Sequence, residues 1–164
     1  MDGKLRNMTA IYLQKNGKFL LLYRVGSRII GNSYTGTAGG HFEADELNDA
    51  KTCVLRELEE ETGLMERDIV NLKFRYITLR LKNGEVRQNY YFFADIAEHV
   101  DVDTLASNEG ELQWVSDDEV KKLNMPHSAK YMLLHYLETG RYTECLYGGI
   151  TTEDGVRFTE LKEF

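Results

Sequence analysis

The sequence predicts a mixed α/β fold, and three features carry that expectation. Two β-prone runs flank Asn16-Gly17 near the N-terminus. Apolar residues recur at helical spacing from Leu47 to Leu58. Two longer β-prone runs then flank Asn83-Gly84. Asn-Gly between strand-like runs is a strong short-range hairpin signal, because both residues tolerate the positive φ of a type I′ turn.

The first hairpin is expected over Met8–Gln14 and Lys18–Val25. Gly26–Tyr34 reads as a loop containing Arg28. Leu47, Ala50, Val54 and Leu58 form an apolar stripe that can pack on a sheet, and Gly63 follows at a C′-like position. Val70–Leu81 and Val86–Ile96 form the second hairpin. Glu111–Val115 reads as a short strand, Asp117–Leu123 as a short helix, and Ser128–Leu137 as a helix with Tyr131, Leu134 and Leu137 in register. Tyr142–Ile150 and Val156–Leu161, around Glu153-Asp154-Gly155, suggest a final hairpin.

A chain of 164 residues is the size of one domain with its own core, so residues 1–164 are expected to form a single domain. No internal repeat, low-complexity tract or linker is visible. The formal net charge of −7 argues against a nucleic-acid duplex as partner, because phosphate tracking needs a basic surface. Cys53 and Cys145 are far apart, and Cys53 has apolar neighbours that favour burial. No secretory signal is visible at the N-terminus, and no apolar run is long enough to span a bilayer, so the expected location is cytoplasmic and away from membranes. His99, His127 and His135 show no zinc-binding spacing.

The chemistry is concentrated between Gly39 and Leu64. At about 100° per residue, Glu57, Glu60 and Glu61 fall within a third of a helix circumference. Clustered carboxylates repel unless a cation neutralises them. Hard oxygen ligands favour Mg²⁺, Mn²⁺ or Ca²⁺, and Mg²⁺ typically leaves coordination positions for water and substrate phosphates. Arg56 lies beside the stripe and can orient a carboxylate through a fork-like ion pair. The pattern points to a metal-dependent site acting on a phosphate ester or anhydride, although Glu-rich helices are also common as solvated faces.

The same stretch resembles the Nudix box of the MutT-like hydrolases. Arg56-Glu57-Leu58-Glu59-Glu60-Glu61-Thr62-Gly63-Leu64 matches the second half of that motif, and Gly40 to Glu46 has the spacing of the first. Between Glu46 and Arg56 lie nine residues, two more than the family pattern has, which leaves Glu43 as an alternative to Glu46. The resemblance implies a Nudix α/β/α sandwich with a mixed β-sheet. It implies hydrolysis of a diphosphate linked to a nucleoside, with Mg²⁺ (or Mn²⁺) as cofactor.

Carried over by position, Gly40, Glu57, Glu60 and Glu61 would be metal ligands. Arg56, Glu57, Glu60 and, from a later loop, Glu109 would form the catalytic set, with Glu111 as competitor to Glu109. Arg24 and Arg28 are candidates for phosphate contact, and Tyr34, Gly39, Phe42, Met125 and His127 for the rest of the substrate. His41 is expected to position its neighbours rather than to catalyse.

The layout is closest to the branch that cleaves nucleoside triphosphates, oxidised ones such as 8-oxo-dGTP included, to the monophosphate and diphosphate. His127 and Ser128 stand where paired aspartates read the oxidised base in the human-type enzymes, and they cannot reproduce that hydrogen-bonding pattern. ADP-ribose, nucleotide-sugar and dinucleoside-polyphosphate pyrophosphatases share the box, and a non-catalytic nucleotide-sensing module stays open beside them. The partner is thus a small nucleoside di- or triphosphate derivative. The edge strand of the last hairpin leaves a homodimer open.

Overall fold

Residues 2–26 and 31–164 are described by the computed structural model. Its eight strands are β1 (Lys4–Lys15), β2 (Lys18–Arg24), β3 (Ser33–Thr35), β4 (Ile69–Lys82), β5 (Glu85–Ile96), β6 (Glu111–Ser116), β7 (Leu146–Thr152) and β8 (Gly155–Leu161). The helices are α1 (Ala50–Thr62), α2 (Asp117–Val120) and α3 (His127–Glu138). The strands form one mixed sheet in the order β3-β2-β1-β5-β4-β7-β8, with β6 pairing β2. β1 runs parallel to β5 and β4 parallel to β7, while the hairpin neighbours are antiparallel.

The turns follow their residues. Asn16 and Gly17 take φ of 52° and 73°, and Asn83 and Gly84 take 53° and 75°, as the tight turns of β1–β2 and β4–β5 demand. Helix α1 starts at the Asp49 cap, whose carboxylate accepts the Thr52 N–H at 3.0 Å. It stops at Gly63, which takes φ of 76° and donates its N–H to the Glu59 carbonyl.

Two cores sandwich the sheet. On one face Val54 and Leu58 of α1 pack with Ile11, Leu13, Phe92 and Ala94. On the other, Met132, Leu133 and Tyr136 of α3 pack with Tyr12, Tyr76, Tyr91 and Phe93. The Phe93 and Tyr136 rings stack at 3.8 Å. This is the expected α/β/α arrangement.

Several boundaries differ from the expectation. Leu47 lies before the Asp49 cap, outside α1, and is 58% exposed rather than packed on the sheet. The end of the loop expected over Gly26–Tyr34 is captured as β3, where Tyr34 pairs with Tyr23. Helix α2 ends at Val120, short of Leu123. Strand β7 begins at Leu146, because Tyr142 closes a 3₁₀ turn. On α3 the buried face runs through Met132, Leu133, Tyr136 and Leu137, so Tyr131 is turned outward.

The feature that positions the site is a split in the sheet. β1 and β2 pair directly only from Leu13↔Leu20 to Lys15↔Lys18. Beyond that point the segment Thr37–Phe42 is laid along β1: Thr37 N–H donates to Ile11 O, Ile11 N–H to Ala38 O, Thr9 N–H to Gly40 O and Phe42 N–H to Asn7 O. Thr37 adds its hydroxyl, which donates to Leu20 O and accepts from Leu13 N–H. Gly39 is required here, since a Cβ on it would stand 2.2 Å from Thr9 O, and its φ is 158°.

Leu58→Ala is expected to destabilise the protein by about 2–5 kcal/mol in urea unfolding, because it empties a fully buried position. Leu47→Ala is expected to change stability by no more than about 0.5 kcal/mol. Equal losses at both positions would contradict the placement of the helix start.

Candidate active site

The site is built where α1 passes the inserted segment Thr37–Phe42. Its organising group is the Arg56 guanidinium. Arg56 Nε donates to Glu46 Oε1 at 2.6 Å and Nη2 to Glu46 Oε2 at 2.9 Å, a bidentate pair. Nη1 donates to Glu57 Oε1 and to Glu60 Oε2, each at 3.0 Å. Nη2 also reaches the His41 carbonyl at 3.1 Å. One side chain thus ties the loop before the helix to two helix carboxylates.

Glu46, not Glu43, takes the partner role to Arg56. Glu46 is 3% exposed, whereas Glu43 is exposed and contributes its backbone N–H to Glu46 Oε2 at 2.9 Å. Between Glu46 and the Asp49 cap the chain turns, with the Asp49 N–H donating to Glu46 O at 2.8 Å. Hydrogen bonds from Arg56 hold the Glu46 carboxyl down at about 2, against the opposing effect of its burial.

Glu57 lies against Gly40: a Cβ at that position would stand 2.3 Å from Glu57 Oε1. A side chain at this position would push the Glu57 carboxylate aside. Glu61 accepts the Gly39 N–H at 3.4 Å. Burial, with the charges of Glu57 and Glu109 adding to it, raises the Glu61 carboxyl to about 7.

The loop after β5 supplies Glu109. Asn108 stitches that loop to the end of α1, donating its side-chain amide to Glu60 O at 2.9 Å and its backbone N–H to Glu61 O at 3.1 Å. Glu109 then pairs with Arg24, at 2.5 Å between Nη2 and Oε2. Glu111 instead opens β6 opposite Tyr23 and is exposed.

Among the described residues, no three His, Cys, Asp or Glu side chains are drawn together as a finished metal cage. Arg56 bridges Glu57 and Glu60 instead. The donor set nevertheless suits a hard cation. Glu57, Glu60 and Glu61 share one side of α1, Gly40 leaves room for the Glu57 carboxylate, and Glu61 is raised by burial and, to a smaller extent, by the Glu57 and Glu109 charges that a cation would offset.

A pocket of about 310 Å³ opens beside these groups, on the α3 face of the sheet. It brings together Arg24, Gly39, Glu61 and His127 of the expected set, along with Thr35, Gly36 and Ala38. The other expected contacts face elsewhere. Tyr34 packs on Tyr23 and donates its hydroxyl to Gln113 Oε1 at 2.8 Å. Met125 is 8% exposed, within the α3 core. Phe42 packs on Tyr90 in a separate, larger cleft of about 910 Å³ on the α1 face, which touches none of the box carboxylates. Arg28 lies outside the described residues.

Sequence reasoning missed Asn108, Tyr12, Arg6, Arg80 and Arg87. Asn108 makes backbone bonds that no local pattern announces, and the others line the pocket from three separate strands. His41 Nε2 accepts from Arg6 Nε at 2.8 Å, and its carbonyl accepts from Arg56. Cys53 is fully buried, and desolvation pushes its thiol up to about 11, so it is unreactive as a nucleophile.

Glu46→Gln is expected to lower stability by about 3 kcal/mol, since it leaves Arg56 without its buried counter-charge. The folded-state value of Glu46, about 2, lies below the ordinary carboxylate value of 4.5. Its contribution is therefore present above pH 4.5 and is lost as the pH falls towards 2. Unfolding titrations of both proteins across that window check this: the variant is expected to lack that part of the acid-limb loss. Parallel acid limbs would remove Glu46 as the partner.

Comparison with known proteins agrees with this geometry. No curated protein sequence matches the chain. Among solved structures, the MutT protein from Bacillus halodurans is 23% identical, with a TM-score of 0.63 over 93% of this chain and 97% of that one. The E. coli ORF135 protein is 23% identical, with a TM-score of 0.64 over 85% of this chain and 92% of that one. A C. elegans Ap4A hydrolase is 16% identical, with a TM-score of 0.60 over 85% of this chain and 99% of that one. These likenesses show the shared fold. The sequence pattern of the NUDIX domain matches residues 3–136, from β1 through most of α3, and the chain therefore belongs to the Nudix family of hydrolases, which act on pyrophosphate bonds.

Proposed function

We propose that this chain is a Mg²⁺-dependent pyrophosphohydrolase that cleaves the diphosphate linkage of a nucleoside diphosphate derivative, nucleoside triphosphates among them. The observation that carries the reading is the placement of Glu57 and Glu61 of α1 against the Gly39-Gly40 backbone, with Glu60 on the same side of the helix and Arg56 locked on Glu46 behind them. Glu57, Glu60 and Glu61 would hold the divalent ion, with the Gly40 carbonyl, which accepts the Thr9 N–H through one lone pair, offering its second, and Mn²⁺ serving as substitute. When bound, the ion supplies charge neutralisation at the phosphates and an acidified water.

The protein's own groups do the remainder. Arg56 orients Glu57 and Glu60 through its two Nη1 hydrogen bonds. Glu109, brought near the helix carboxylates by Asn108, is the candidate to take a proton from the attacking water. Arg24, held at the pocket by Glu109, can turn to a substrate phosphate at little cost because both partners are half-exposed.

Within this activity, an oxidised purine nucleotide is the substrate that the family resemblance favours. His127 and Ser128 line the pocket but cannot reproduce the hydrogen bonding of the paired aspartates that read such a base, and Tyr34, Phe42 and Met125, the candidates to stack on or enclose it, do not line the pocket. The arginine-lined pocket favours a second reading, a nucleoside diphosphate joined to another charged group.

Phosphate or pyrophosphate release with Mg²⁺, over a panel of unmodified and oxidised dNTPs, ADP-ribose, nucleotide sugars and dinucleoside polyphosphates, tests the reading. Turnover of at least one member is expected. A fall in kcat of at least about a hundredfold is expected in Glu60→Gln, with folding retained, and turnover is expected to stop on chelation. A folded protein that binds nucleotide without turning over any member would instead indicate a sensor.

A further inference from the structure

The pocket beside the box carboxylates has a second, cationic end. Arg6 on β1, Arg87 on β5 and Arg80 on β4 are register partners: Arg6 faces Arg87, and Arg87 faces Arg80. Strand side chains alternate between faces, so directly paired residues share one face. All three line the same 310 Å³ pocket as Gly39, Arg24 and Glu61. A row of three guanidiniums on adjacent strands is self-repelling, and it occurs in a chain of net charge −7. The carboxylate beside the row is Glu85, 3.2 Å from Arg87 Nη2, and Arg6 is held by a His41 nitrogen rather than an acid.

Two further observations indicate that something acceptor-rich belongs in this pocket. Tyr12 is fully buried, lines the pocket, and has a hydroxyl without a hydrogen-bond partner. Arg87 Nε is likewise buried and unpartnered. Buried donors without acceptors are costly and uncommon. The N-terminal turn of the twelve-residue helix α3, at Pro126–Ala129, also borders the pocket and adds its positive dipole end.

We propose that the pocket takes a diphosphate substrate that carries a second anionic group, a phosphate or a carboxylate, and that Arg6, Arg80 and Arg87 seat that group. This rests on the pyrophosphohydrolase reading for the other end of the same pocket. Gly39 abuts Ala10, four residues along β1 from Arg6. At about 3.4 Å per residue, the row stands roughly 14 Å from the glycine pair, so one extended molecule can reach both ends. Guanidinium forks match phosphate and carboxylate alike, so the shared chemistry is an oxyanion and its source is a matter for experiment.

The experiment compares substrates within matched pairs that differ by one anionic group: NADP⁺ with NAD⁺, coenzyme A with its 3′-dephospho form, and UDP-glucuronate with UDP-glucose. The ratio of kcat/KM within each pair is the readout, measured in the wild type and in Arg80→Ala and Arg6→Ala. The expected result is a preference of at least about tenfold for the charged member in one or more pairs, falling towards unity in both variants. Preference in the first two pairs identifies a phosphate, and in the third a carboxylate. Equal turnover within every pair overturns the proposal, as does a preference that survives both variants.

A parallel arm does not depend on hydrolysis. Thermal unfolding in EDTA is followed with inorganic phosphate or tricarballylate against chloride at matched ionic strength. Stabilisation of the wild type that is lost in Arg80→Ala and Arg6→Ala supports the oxyanion seat even if no pair is turned over, in which case only the hydrolase reading fails. No turnover combined with no anion-dependent stabilisation overturns the seat as well.

Discussion

The site depends on the five hydrogen bonds that one guanidinium donates to oxygen. Arg56 joins Glu46, the His41 carbonyl, Glu57 and Glu60, and so fixes the loop ahead of α1 to the helix itself. Without that clamp, three carboxylates on one helix side would splay into solvent to reduce their repulsion. With it, Glu57 is drawn against Gly40, where the absence of a side chain makes room. A nearly buried carboxylate such as Glu46 is tolerated only because both its oxygens are paired, and the same pairing makes its removal costly.

The scaffold around this clamp solves a geometric problem. A loop that must present backbone groups to a ligand is mobile unless its own polar groups are satisfied. Here the split between β1 and β2 lets Thr37–Phe42 use β1 as a template. The loop gains the rigidity of a strand while keeping its glycines at the point of approach. The two longer helices divide the labour: α1 supplies carboxylates and one core face, and α3 supplies the other core face and borders the pocket with its N-terminal turn.

The parts legible in the sequence were those encoded within a short stretch. The Asn16-Gly17 and Asn83-Gly84 turns, the Gly63 stop and the box from Arg56 to Leu64 declare themselves locally, because turn chemistry and helical periodicity operate over a few residues. Leu47 misled because its spacing continues the apolar stripe one turn past the Asp49 cap, where the chain has left the helix. On α3, Tyr131 and Leu134 have helical spacing, but Tyr131 belongs to the outer side; periodicity defines a stripe without saying which stripe meets the sheet. Tyr34, Phe42 and Met125 are apolar residues near the pocket in sequence whose rings and chains were claimed by packing. The arginine row was illegible for a different reason. Arg6, Arg80 and Arg87 become neighbours only through the β1–β5 and β4–β5 registers, and no local pattern contains a register.

The parallel pairing of β1 with β5 also governs the order in which the molecule can be assembled. Lys4 meets Glu85 and Gln14 meets Asp95, so roughly eighty residues separate the two sides of that ladder. The helix bearing the carboxylates and the loop facing it are synthesised well before β5 exists, yet the strand that templates the loop is left with an open edge until β5 arrives. Long-range parallel pairing of this kind is slow to nucleate, because the entropy of closing the intervening chain is lost before any ladder bond compensates. A nascent chain ending before β5 would thus carry the entire Nudix motif and still lack the platform that holds it, exposing an apolar β1 edge suited to pairing with another chain.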